Sequence, residues 1–320
     1  GEISGNSAVQ YGGGVANYAV GNAPVFELFD GAEIKNNVVT GTTDTSLAYV
    51  GGGGVYTNRG AAFTMHGGRI TENSASATDP NGYAVYGGGG LFLEGGTFVM
   101  ESGVISNNET AEYGGGIQVY QGTANARLKG GNITGNRAAK SGGGIYQYYG
   151  TLTIEPTADG ELHISENSAA KGGGLAVDAG NTAMTGGIVS ENSATSNGGG
   201  VYISEYISSA SFLGGEIVDN LSTNGSLGPD MLVGKATSIG RRLYVPNGMC
   251  LADGAYLIIT AAFNDDARVG VSVQTPPVSC GIENGVLVAQ TDPESQEALT
   301  EEELAHFTYD GGTCVLKRKE

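Results

Sequence analysis

The sequence predicts an all-β chain, a right-handed parallel β-helix (solenoid) ending in an irregular C-terminal β cap. Three observations lead there. Two short motifs alternate down the chain, the runs between them alternate apolar and polar residues with period two, and the 57 glycines fall in clusters. Collagen would instead need glycine at every third position.

The first motif is Ile/Val-x-x-Asn, ending at Asn6, Asn37, Asn73, Asn108, Asn136, Asn167, Asn192 and Asn220. The second is Gly-Gly followed by an aliphatic residue, at Val15, Val55, Leu91, Ile117, Ile145, Leu175 and Val201. Successive asparagines lie 25 to 36 residues apart, the length of one solenoid unit. Runs such as Phe63-Thr64-Met65, Leu152-Thr153-Ile154 and Val201-Tyr202-Ile203 have the period of strands. Helical spacing is nearly absent before residue 230, so strands and turns must join equivalent strands of successive units. Parallel strands joined by right-handed crossovers make a β-helix.

Asparagine suits its corner because it tolerates a left-handed backbone. Its amide can also pair with the same amide one coil on, at about the 4.7–4.9 Å strand spacing. The eight asparagines are therefore expected to form a buried ladder. The glycine triplets are expected to supply positive φ and close backbone approach at the opposite corner. Counting back from the Gly-Gly before each Ile-x-x-Asn gives an interior column of Phe29, Met65, Met100, Leu128, Met184 and Phe212. Its methionines read as core fillers rather than metal ligands.

The repeats cover residues 1–233. Gly1-Glu2-Ile3-Ser4-Gly5-Asn6 matches the middle of later units, giving the expectation that further repeats and an export signal lie upstream. Over residues 234–320 the pattern fades into separate strand-like runs, read as a cap over the end of the solenoid. Within it Ser295 to Leu304, with Thr300 and Glu303 in capping-box spacing, predicts a short helix.

The balance of 33 acidic against 15 basic residues gives a net charge of −18, which repels nucleic acid and anionic headgroups. Lys317-Arg318-Lys319 reads as a solvated tail. The longest apolar run, Tyr256 to Phe263, suits a strand, so no direct membrane insertion by this segment is expected. Cys250, Cys280 and Cys314 have no zinc spacing. One disulfide with a leftover thiol, and three reduced thiols, both fit the sequence.

The alternating Gly-Gly-aliphatic and Ile-x-x-Asn motifs over residues 1 to 230 resemble the repeats of polymorphic outer-membrane-protein adhesins, within the pectin-lyase-like group of right-handed β-helices. The resemblance implies an extracellular, secreted or surface-anchored passenger or adhesin. This sequence differs from that family in showing no series of alternating strands for a C-terminal membrane barrel.

Because the same fold group carries polysaccharide lyases and glycoside hydrolases, enzyme function has to be argued from residues. A glycosidase needs two carboxylates about 5–9.5 Å apart. The column before the ladder offers Glu72, Glu166, Glu191 and Asp219, which reads first as a solvated acidic edge, then as a calcium site, and last as catalytic. No other cofactor is implied. Arg127 and Lys129 point outward from one strand without an acidic cluster aligned on neighbouring coils, as a lyase would require. His66, His163 and His306 are scattered and read as surface residues.

Two features are candidate binding surfaces for a host or environmental glycan or protein. The residue after each Gly-Gly-aliphatic is expected to point outward, and that column holds Tyr56, Phe92, Tyr146 and Tyr202. Two neighbouring units carry long insertions at one corner, Val38 to Val50 and Ser74 to Tyr86, bearing Asp44, Tyr49, Asp79, Tyr83 and Tyr86. The expected function is a non-enzymatic surface rod, an adhesin or stalk. The alternative is a carbohydrate-active enzyme.

Overall fold

A computed structural model describes residues 1–41, 49–76, 85–157, 160–223, 228–235, 237–251, 257–263, 268–273, 289–291 and 307–309. Among them every regular element is a strand, and every strand pair is parallel. The chain is a parallel β-helix.

The third to fifth coils each pass through four short strands, and in the sixth and seventh the second and third run on as one, Asn181–Ser190 and Ser209–Val218. In the fifth coil the first, Ile145–Gln147, follows the glycine triplet, and the second, Thr151–Ile154, follows a tight turn. The third, Leu162–Ser165, carries the isoleucine of the asparagine motif, and the fourth, Ser168–Lys171, lies beyond the asparagine corner. Equivalent strands stack in strict register: Val55, Leu91, Ile117, Ile145, Leu175, Val201 and Met231 are successive partners in the first sheet.

Period two then turns one side of each strand inward, and like residues stack into apolar columns. In the second sheet Leu28, Met65, Met100, Leu128, Ile154, Met184 and Phe212 are register partners, and all are buried. Leu28 holds the place expected for Phe29, which is 55% exposed. Ile34 comes six positions after Leu28, where Ile70 comes five after Met65. The longer turn shifts the count by one, and one residue in a strand reverses the face. Fully burying each such side chain contributes about 1.5–3 kcal/mol.

The asparagine ladder is continuous. From Asn37 onward each Oδ1 accepts two bonds from the preceding coil, as Asn136 does from the Asn108 backbone N–H at 3.0 Å and from Asn108 Nδ2 at 2.9 Å. Each of these Nδ2 groups also donates to the carbonyl of the preceding coil's motif residue; Asn136 reaches Ile105 at 2.9 Å. The left-handed backbone expected at the asparagines falls one residue earlier. Asn36, Glu72, Asn107, Glu166, Glu191 and Asp219 have φ of 54–57°, and Gly5 and Gly135 complete the column. The turn is made there so that the asparagine itself can face inward.

At the opposite corner the first glycine of the triplet is left-handed, as at Gly142 with φ 67°. The other two lie against the next coil. A Cβ on Gly143 would sit 2.5 Å from the Gly173 carbonyl oxygen, and one on Gly144 would sit 3.0 Å from Asn167 Nδ2. Thus the third glycine aims its missing Cβ at the next ladder amide. In the eighth coil the triplet becomes Gly228-Pro229-Asp230, and the Asp230 side chain occupies that direction. Its Oδ1 accepts Asn220 N–H at 2.9 Å and Nδ2 at 3.0 Å, closing the ladder. Burial pushes the Asp230 carboxyl above its usual range, and the bonds from Asn220 partly oppose this.

Parallel stacking continues past residue 233. Thr237–Leu251 wraps a full coil, pairing with Ser211–Phe212, Gly214–Glu216 and Met231–Val233. Leu257–Phe263 and Arg268–Val273 then stack upon it. What ceases near the expected boundary is the asparagine corner. Cys250 is buried here; Cys280, Cys314 and the expected helix lie outside the described residues.

Candidate functional site

The first sheet differs from the others in burying both faces. Its middle positions point away from the solenoid interior, yet Tyr56 is 2% exposed and Phe92 is 0% exposed. The expected open strip of rings is therefore covered, and the reason is a second layer outside the sheet. On one side the residues before the glycine triplets, Tyr11, Gly51, Gly87, Tyr113, Ser141 and Lys171, pair coil to coil. On the other side stand Glu94, Tyr120, Tyr148 and Asp178 in successive coils, each bonded to the coil before it.

Rings from these edges fold over the middle column. Tyr11 stacks on Tyr56 at 4.4 Å, Tyr113 on Tyr146 at 4.6 Å, and Tyr120 on Tyr148 at 5.4 Å. Phe92 meets Tyr56 and Tyr120 edge-on. The ammonium groups of Lys140 and Lys171 lie 5.2 and 5.0 Å from the rings of Tyr113 and Tyr202. Half-exposed Tyr18 and Tyr149 edge the strip.

Two carboxylates are set into it. Glu94, buried, accepts Tyr56 Oη–H at 3.2 Å and Gln121 Nε2 at 2.5 Å, while Arg59 donates to Gln121 Oε1 at 2.6 Å. Gln121 has φ 74°, a left-handed conformation costing a non-glycine residue about 1–3 kcal/mol. Asp178 accepts Tyr146 Oη–H at 2.7 Å. Burial raises the Asp178 carboxyl, opposed by the Tyr146 bond and the charge of Lys171. The Tyr56 and Tyr146 phenols are pushed upward, first by burial and then by their carboxylate neighbours, and stay protonated as donors.

The insertions border this strip. Their closing strands, Tyr49–Gly51 and Val85–Gly87, pair in register and lead directly into the triplets of the second and third coils. Val39 and Val50 pack together beneath them. Tyr49 and Tyr86 are thus placed by backbone at the strip's edge. Asp44, Asp79 and Tyr83 lie outside the described residues.

The other candidates take ordinary roles. Glu72, Glu166, Glu191 and Asp219 are exposed at the left-handed turn. Arg127 does have an acidic neighbour one coil on, bonding Glu155 through Nε at 2.8 Å. Sequence reasoning missed that His66 bridges three coils. Its Nδ1 lies 2.7 Å from Glu101 and its Nε2 3.0 Å from Glu27, with the ring stacked on Phe29 at 4.7 Å. The signal is only a shared register among residues 35 and 39 positions apart. Among the described residues no three His, Cys, Asp or Glu side chains converge to hold a metal ion, and no helix is long and apolar enough to cross a membrane.

No protein-family model matches the chain, no curated protein matches it, and no solved structure matches it.

Proposed function

We propose that the chain is part of a non-enzymatic extracellular surface protein, a rigid β-helical adhesin or stalk. It binds a host or environmental glycan, or a protein surface, along the outside of its first sheet. The observation that carries this reading is the tyrosine and carboxylate strip bordered by two adjacent insertions, on a scaffold whose other coils are regular. Tyrosines give stiff amphipathic contact area at low entropy cost. The motif resemblance to surface adhesins points the same way. Against hydrolysis, Glu94 and Asp178 stand three coils apart, about 14 Å at the strand spacing, beyond the 5–9.5 Å that glycosidases use.

The test shortens Val38 to Val50 and Ser74 to Tyr86 to the five-residue connection of other units, then measures binding to immobilised mucin. Loss of binding in a folded variant supports the reading, and unchanged affinity removes the site from this edge. Release of reducing sugar or unsaturated uronate from pectin in calcium-supplemented buffer would put the enzyme reading first.

A further inference from the structure

We propose that the side-chain amide of Gln118 is the polar anchor of a saccharide subsite, taking one pyranose unit of a neutral oligosaccharide at the third to fifth coils. This inference rests on the binding reading above and names the chemistry of its ligand.

Gln118 is 0% exposed, and neither Oε1 nor Nε2 has a hydrogen-bond partner. It stands in the middle column of the first sheet between Phe92 and Tyr146. Its Oε1 lies against Gly87, where an added Cβ would come within 2.0 Å. A buried amide left unbonded has lost its hydration without replacement, which disfavours the folded state. Gln147, on the inward face of the neighbouring coil, shows the usual arrangement: it donates to the Gly150 and Asn181 carbonyls and accepts from Thr182. Nor does the outer column need an amide for packing, since Phe92 and Ala176 are buried in it at 0% exposure. Folding therefore leaves Gln118 with unused hydrogen-bonding capacity in the middle of the aromatic strip.

The ligand's chemistry follows from what surrounds that amide. A primary amide offers donors and acceptors together, and sugar hydroxyls do the same. The Glu94 carboxylate, in the same coil as Phe92, and the Asp178 carboxylate, one coil beyond Tyr146, repel uronates and accept hydroxyls. Repeat length separates glycan from peptide. The strip repeats every coil, about 4.7–4.9 Å, whereas same-face side chains of an extended peptide recur at about 6.6–6.8 Å. One coil is close to the length of one pyranose unit in an extended glycan. Tyr113, whose backbone carbonyl lies with Gln118 Oε1 against Gly87, is half-buried, and rotation of its ring off Tyr146, a motion fast on the binding timescale, is the step by which the ligand is admitted.

The test uses the chain with malto-, cello-, manno- and chito-hexaose, with hexagalacturonate as anionic control and enzymatically deglycosylated mucin as protein control. At least one neutral hexaose should bind, and saturation should shift the Gln118 side-chain NH2 resonances. Gln118→Met should raise the urea midpoint while weakening that hexaose about tenfold. Unshifted amide resonances on the unaltered chain, or full affinity in the variant, overturn the inference and leave the binding reading intact. Binding of deglycosylated mucin with no hexaose bound also overturns it, in favour of a protein partner. If the hexaose binds equally well after both insertions are shortened, the placement in the binding reading fails independently.

Discussion

Replacing Asn136 by alanine in the middle of the ladder should cost far more than replacing Asn6 at its start. Asn136 Oδ1 accepts the Asn108 backbone N–H and one hydrogen of Asn108 Nδ2, so Asn136→Ala strands two buried donors. At about 1–3 kcal/mol for each unsatisfied group, the expected loss is about 2–6 kcal/mol. Asn6 is exposed and no donor depends on its Oδ1; it contributes only the Nδ2 bond to Asn37, while its backbone N–H bond to Asn37 survives mutation. Asn6→Ala should therefore cost under about 1 kcal/mol. Urea unfolding followed by circular dichroism compares the midpoints, and hydrogen exchange at the Asn108 amide reads the local effect. Equal midpoints, or an Asn108 amide as protected in Asn136→Ala as before, would refute a ladder whose strength lies in buried donors.

Two further outcomes follow from the corners and the outer surface. Gly143→Val places a Cβ 2.5 Å from the Gly173 oxygen and from Ser168 backbone atoms, which cannot move aside as a side chain does. A loss of about 4 kcal/mol or more is expected, against within about 0.5 kcal/mol for Thr153→Val on the outward face of a strand, both measured as urea midpoints. The bonds to Glu27 and then Glu101 raise the His66 pKa above 6.5, so the folded state holds its proton more tightly than the unfolded state. The resulting stabilisation is complete below 6.5 and is lost as pH rises through the raised value. The thermal midpoint should fall over that interval, and His66→Gln should flatten the change. An identical pH slope in the variant would show that the bridge contributes nothing.

The repeat was legible because each corner imposes its own residue. Only asparagine supplies both ladder bonds, and only glycine clears the neighbouring backbone, so both motifs survive divergence between coils. Phe29 falls outside the apolar column because a turn longer by one residue keeps Gly31 at the usual distance from Ile34 while moving the strand face. The burial of Tyr56 and Phe92 was hidden for a different reason. A solenoid's outward side is solvent only if nothing folds over it, and here the covering rings come from the edges of neighbouring coils. Gln118 interrupts the aromatic column in the sequence, but its missing partners are a fact of three-dimensional packing. The bridge at His66 likewise depends on register across three coils. Of the loop residues expected to bind, the structure places Tyr49 and Tyr86 by backbone alone, beside the strip.

Asp230 also bears on how such a rod can lengthen. An asparagine coil can be laid on the one before it only where the residue ahead of the aliphatic is glycine. At Gly200 a Cβ would lie 2.7 Å from Asn220 Nδ2. Asp230 fails that condition and at the same time satisfies the donors Asn220 leaves over. Duplicated units can therefore be inserted upstream of it without leaving a ladder donor unmatched, because every asparagine corner there offers the same donors and acceptor to its neighbours. Downstream, growth requires another kind of corner, as Thr237–Leu251 already uses. The number of asparagine coils is open to variation through a single class of genetic event, while the end of their ladder stays fixed by one carboxylate.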